Sequence, residues 1–206
     1  MYKRDRIFFL FGIIMFLSEI WKQFCLTYIV NSGTYDWWYF PFQLCSIPMY
    51  ICLLLPFAKT EALHRAMETF LMDFCLLGGI FAFFDTSGMH YRYFPLTVHS
   101  YLWHMLLIIL GITAGILYTS RNWRDFRNSV YIYLFCCGIA TLLNECLDSC
   151  GTINMFYINP EYHMSQRVFV NIADTLGNPA GIVIYVISCI LGAGIFHFIW
   201  IKRSYK

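Results

Sequence analysis

Apolar residues in this chain come in six long runs separated by short polar stretches. The runs cover about residues 7–24, 40–57, 66–84, 96–118, 129–147 and 179–201. Each approaches the roughly 20 residues that carry a helix across about 30 Å of hydrocarbon. The pattern predicts an all-α fold, a polytopic membrane helical bundle with six transmembrane helices, forming one domain over residues 1–206. Between the first two runs Trp37, Trp38 and Tyr39 have the composition of an interfacial aromatic belt. The third run ends at the turn signal Asp85-Thr86-Ser87-Gly88. The stretch 148–178 is mixed, and its part 165–176 has the pattern of a short amphipathic helix lying at an interface. The first three runs do not repeat in the last three closely enough for the inverted repeat of many transporters.

Charge placement orients the bundle. With the N-terminus inside, Lys3, Arg4, Arg6, Lys59, Arg65, Arg121, Arg124, Arg127, Lys202, Arg203 and Lys206 fall on the cytoplasmic side. Lys22, Arg92 and Arg167 fall outside. This positive-inside bias supports six spans with both termini cytoplasmic. Composition agrees: 59% of residues are hydrophobic and 13% charged, too few for the surface of a water-soluble domain of this length. The net charge of +2 comes with no polybasic tract, which argues against nucleic acid as a partner. The basic start precedes an apolar run without a small-residue cleavage site, so the first helix is expected to be a retained anchor. A multi-pass protein of the cell membrane, in contact with membrane lipids, is the expected setting. Most of the nine cysteines lie in apolar runs, where free Cys behaves as a small hydrophobe. Cys146 and Cys150 lie near one membrane face and could pair.

Candidate chemistry gathers at the outer end of the second run, in Tyr39-Phe40-Pro41-Phe42-Gln43-Leu44-Cys45-Ser46. Pro41 suits a first helical turn, where its missing N–H is not needed. Cys45 is then expected about 8 Å into the span, and His99 and His104 about 5 and 12 Å into the fourth, at 1.5 Å per residue. The two histidines are about 140° apart around a helix, so they do not easily face one point. Thiol chemistry needs the thiolate, and an imidazole supplies it by taking the proton. The structural alternatives are packing for Cys45 and a hydrogen bond to a neighbouring helix for either histidine. Glu68 and Asp73 are expected to pair with Arg65, and Glu19 with Lys22 one turn on. Asn144 and Glu145 fall at the level of Cys45, where either could orient a histidine or meet a polar headgroup.

These residues carry a resemblance. Phe-Pro-Phe-Gln-Leu-Cys at residues 40–45 resembles the Leu-Pro-x-x-x-Cys start of the second helix in the YwaF family of bacterial integral membrane proteins. Trp103-His104-Met105-Leu106-Leu107 resembles that family's helix-borne histidine. Asn144, followed by Gly151-Thr152-Ile153-Asn154-Met155-Phe156-Tyr157 and Pro160, resembles its Asn…Gly-Thr-Asn-Tyr-Met-Tyr…Pro signature. The similarity covers most of the chain in the same order. Ile153 splits the Gly-Thr-Asn run, and Phe40 and Gln43 replace residues commonly Leu and His. That family is similar to the eukaryotic transmembrane protein 164 group of acyltransferases, and more distantly to androgen-induced membrane hydrolases with a Thr–His pair. The resemblance implies a membrane-embedded lipid acyltransferase or acyl-ester hydrolase, with Cys45 as nucleophile and His104 as acid–base partner. His99 is the second choice. Gln43, Asn144 and Asn154 are candidate oxyanion or substrate contacts beside Glu145. No cofactor and no metal is implied.

Two other classes fit the same pattern. Six helices in about 200 residues also describe small substrate-capture subunits of importers, which are non-enzymatic binding proteins. Against this, the first run has only Gly12 and Ser18 as small residues among bulky ones. A metal hydrolase using His99, His104 and His163 is the third class, but no short His-x-x-x-His or Cys-x-x-Cys pair supports it.

Overall fold

The computed structural model describes residues 3–118 and 122–204. Arg121 and Lys206, both used in the charge count, lie outside the described residues. Within them the regular elements are all helical. The helices are α1 (Lys3–Phe24), α2 (Ile47–Leu54), α3 (Glu61–Phe70), α4 (Leu76–Phe81), α5 (Phe94–Leu117), α6 (Trp123–Leu147), α7 (Arg167–Leu176) and α8 (Asn178–Ser204).

Four helices are long and apolar enough to cross a membrane. They are α1 with the π-helical turn Cys25–Val30 that extends it, α5, α6 and α8. Large apolar side chains point outward along them, with Leu17 60% exposed and Ile195 63% exposed, while Glu19, Asp73, Asn144 and His197 are buried. In water this distribution would be inverted; it suits a bundle whose solvent is lipid. The protein is a membrane protein with four candidate spans.

The expected second span is different. Residues 40–46 are not helical, and α2 begins at Ile47. Pro48, not Pro41, occupies the first turn of that helix. Pro41 instead offers its carbonyl to the Tyr50 hydroxyl at 2.8 Å. With the short turn Leu55–Phe57, α2 covers roughly 16 Å at 1.5 Å per residue, half of a hydrocarbon core. The expected third span is α3, a π-helical turn at Leu71–Cys75, and α4 in continuous sequence, carrying Glu68 and Asp73 inside the bundle. The amphipathic stretch after α6 is helical as α7 and packs on α8.

Close helix contact depends on small residues, as is common in membrane bundles. At the α4–α5 crossing a Cβ on Gly79 would lie 3.0 Å from the Ile108 backbone nitrogen, and one on Gly111 would lie 2.8 Å from Leu76 Cβ. Gly115 leaves room for the Trp200 ring from α8. One buried polar pair joins distant segments of the chain. His197 Nδ1 meets Asp73 at 2.8 Å and its Nε2 meets the Asn122 carbonyl at 3.2 Å. Both imidazole nitrogens thus face oxygens.

Candidate functional site

The turn that carries Cys45 is built from local hydrogen bonds. Asp36 accepts from Trp38 N–H and starts the tight turn Trp37–Tyr39. Ser46 and Ile47 N–H both donate to the Gln43 carbonyl, at 2.8 and 3.2 Å, so residues 43–47 fold back just before α2. Cys45 is partly exposed and unbridged. Across from it, Trp103 Nε1 of α5 donates to the Cys45 carbonyl at 3.1 Å. That bond holds the histidine-bearing part of α5 against the cysteine turn.

The two histidines leave α5 in different directions. His99 stacks at a tilt on Trp103 and on Trp21 of α1, and its Nε2 meets Ser18 Oγ at 2.7 Å. His104 presents its ring to Phe83, at 6.5 Å between centroids. His104 Nδ1 lies 2.8 Å from the Ser100 carbonyl. A carbonyl only accepts, so Nδ1 carries a proton, and in the neutral ring Nε2 keeps its lone pair. His104 is therefore held in the tautomer of a general base at Nε2. Among the described contacts neither imidazole hydrogen-bonds Cys45 Sγ.

Gln43, Asn144 and Asn154 do one job together. Gln43 Nε2 donates to the Asn154 carbonyl at 2.9 Å, and its Oε1 accepts from Phe156 N–H at 2.7 Å. Asn144 Oδ1 accepts from Met155 N–H at 2.7 Å, and its Nδ2 donates to the Met155 carbonyl at 3.2 Å. Asn154 Oδ1 accepts from Asn159 N–H. These amides pin a buried loop in which Phe156 and Tyr157 take left-handed φ of +57° and +56°. Each Gln43 and Asn144 amide nitrogen has one further N–H, so any oxyanion contact from them uses that second hydrogen. Glu145 is exposed, on a different face of α6 from buried Asn144.

A set of α1 residues not singled out for chemistry from the sequence completes the site. Lys22 Nζ meets Glu19 at 2.7 Å, the expected one-turn pair. Gln23 Nε2 donates both to Glu19 and to the Tyr39 carbonyl, each at 2.7 Å, tying α1 to the loop that leads to Cys45. Glu19 is 4% exposed. Beside them a groove of about 390 Å³ runs between α1 and α5, and Ser18 and His99 are its polar residues among Ile14, Val98, Leu102 and other apolar side chains. A buried ionisable pair at span depth was the signal that could have pointed to Glu19 and Lys22.

Metal-type ligands converge elsewhere. Among the described residues Asp5, His64 and Glu68 have ligand atoms within 4.8 Å of one another. Arg4 already sits among them, 3.3 Å from Glu68, and His64 bridges Asp5 at 3.2 Å and Glu68 at 3.1 Å. One guanidinium and one imidazole thus face two carboxylates, a polar lock between α1 and α3 rather than an open cation site. Glu68 pairs with Arg4 and His64, and Asp73 with His197, where Arg65 was expected; Arg65 bonds Glu61 on the surface. His163 meets Asp174 of α7, whereas His99 and His104 meet Ser18 and the Ser100 carbonyl.

No curated protein and no solved structure matches this chain. A family model does, over residues 2–201, nearly the whole length. The protein belongs to the TMEM164 family.

Proposed function

We propose that the protein is a thiol-dependent lipid acyltransferase or acyl-ester hydrolase of the cell membrane, acting near the outer leaflet with Cys45 as nucleophile and His104 as acid–base group. The observation that carries this reading is the Trp103–Cys45 hydrogen bond, which seats the cysteine turn beside a histidine already in the base tautomer. Substrate binding closes the Cys45–His104 contact, as catalytic hydrogen bonds often tighten only in the complex. His104 Nε2 takes the thiol proton. The thiolate attacks the ester carbonyl and forms the S–C bond; the C–O bond breaks, and His104 returns the proton to the departing alcohol. An acceptor hydroxyl or water then gives its proton to His104 and attacks the thioester, releasing the thiolate. The α1–α5 groove is suited to a hydrocarbon chain with its ester end near Ser18 and His99. In this reading α2 with residues 40–46, and α3 with α4, complete six membrane passes with both termini cytoplasmic.

The test is turnover of a fluorescent acyl ester in nanodiscs of phosphatidylcholine and phosphatidylethanolamine. Cys45→Ala and His104→Gln should each lose activity by at least about a hundredfold, the low end for removing a general base. Normal turnover by Cys45→Ala would rule the mechanism out.

A further inference from the structure

Ser18 and His99 form a pair whose chemistry the mechanism above does not use. Ser18 Oγ on α1 lies 2.7 Å from His99 Nε2 on α5. Both side chains are half-buried, and both line the α1–α5 groove of about 390 Å³. Two indoles hold the imidazole: its centroid lies 5.4 Å from that of Trp21 and 5.8 Å from that of Trp103. The ring therefore has little freedom to turn away from the serine.

The hydroxyl is also unusual for a helix. Helical Ser and Thr commonly return their proton to a nearby backbone carbonyl. Thr113, Thr141 and Thr175 each donate to the carbonyl four residues back, and Ser129 to the one three back. Ser18 has its described bond with the histidine instead. With the ring proton on Nδ1, the Ser18 O–H donates to Nε2. A hydroxyl facing the lone pair of an oriented imidazole is the arrangement of an activated nucleophile.

We propose that Ser18 is a second acyl-accepting nucleophile, with His99 as its base, which takes one chain from a glycerolipid ester in the α1–α5 groove and keeps it as an oxygen ester. His99 Nε2 takes the hydroxyl proton as Oγ bonds to the ester carbonyl carbon. The bond from that carbon to the glycerol oxygen breaks, and His99 returns the proton to the departing alcohol. Among the described residues the Trp21 indole N–H has no partner, whereas that of Trp103 is spent on the Cys45 carbonyl. Trp21 is thus the groove-wall donor available to the oxyanion. Releasing the chain again requires water beside the acyl-serine. Ile14, Val98, Leu102 and Leu106 wall the groove with hydrocarbon, so the reaction stops after one acylation. Steady turnover stays with Cys45, and the chain on Ser18 fills the groove.

The test is mass spectrometry of the Ser18 peptide after the full-length protein, in nanodiscs, is incubated with phosphatidylcholine vesicles. Ser18 should carry an acyl mass that neutral hydroxylamine leaves in place, as it does an oxygen ester. His99→Gln should slow the appearance of that mass at least about a hundredfold, the low end for losing a general base. Cys45→Ala should still acquire it. A Ser18 peptide without the acyl mass in the natural protein would overturn the proposal, and that arm needs no variant to fold. Acylation of His99→Gln at the natural rate would overturn it too, as would loss of the Ser18 acyl group in Cys45→Ala, since the chain would then arrive by way of the cysteine. Failure of the Cys45 reading is a separate result, ester turnover by Cys45→Ala.

Discussion

Replacing Gln43 by Leu should release the loop beside the cysteine turn. Gln43 joins the stretch before α2 to the loop after α6 through two hydrogen bonds, to the Asn154 carbonyl and from Phe156 N–H. Asn154 and Phe156 are each 1% exposed, so water does not replace a lost partner without opening the loop. The Asn154 carbonyl keeps a long bond from Tyr157 N–H at 3.4 Å, so Phe156 N–H is the group left unpaired, at a cost of about 1–3 kcal/mol. Phe156 and Tyr157 add to the tendency to open, because left-handed φ is unfavourable for large side chains. Hydrogen exchange with mass spectrometry reads this directly. Every 1.4 kcal/mol is tenfold, so amides of Met155, Phe156 and Asn159 should exchange at least about fivefold faster in Gln43→Leu. Amides around Leu107 and Leu110 on α5 should not change. Gln43→Glu keeps the acceptor for Phe156 but turns a second carboxylate oxygen toward the Asn154 carbonyl, so it should also accelerate exchange. If the loop amides of Gln43→Leu exchanged at the original rate, the two bonds would not be what holds the loop.

Two further outcomes follow from packing and charge. Gly115→Leu would drive its side chain into the Trp200 ring, and overpacking of this kind costs about 1–3 kcal/mol; a lower thermal midpoint in detergent, partly restored by Trp200→Ala, is the expected result. Removing one partner of the fully buried Asp73–His197 pair should cost about 3–5 kcal/mol, whereas Asp73→Leu with His197→Leu should cost less than His197→Leu alone, measured by the same thermal assay.

The long apolar helices were readable because their composition alone meets the membrane requirement: α1, α5, α6 and α8 each coincide with a predicted run to within a few residues at most ends. The second run misled because hydropathy does not distinguish an apolar helix from an apolar turn. Tyr39 to Ser46 is as greasy as a helix, yet the Gln43 carbonyl, the Tyr50 hydroxyl and Pro41 fold it into turns. The paired residues were legible only where they are close in sequence. Glu19 with Lys22 follows from one-turn spacing, but Asp73 with His197 joins residues far apart along the chain. Gln43, Asn144 and Asn154 stood out as polar groups in apolar surroundings, which is the right signal; their partners are backbone groups of a loop whose path no local pattern reveals. The level shared by Cys45 and the α5 histidines was inferred from rise per residue, and the Trp103 indole joins the two elements. The direction of His99 depended on Ser18 of α1, which spacing along α5 does not select.

The most direct measurement is mass spectrometry of the Cys45 peptide after incubating the protein with lipid vesicles and quenching in acid. The account predicts an acyl mass on Cys45 that neutral hydroxylamine removes, as it does a thioester, and that is lost in His104→Gln. An acyl group on another cysteine, or turnover with Cys45 never modified, would contradict it.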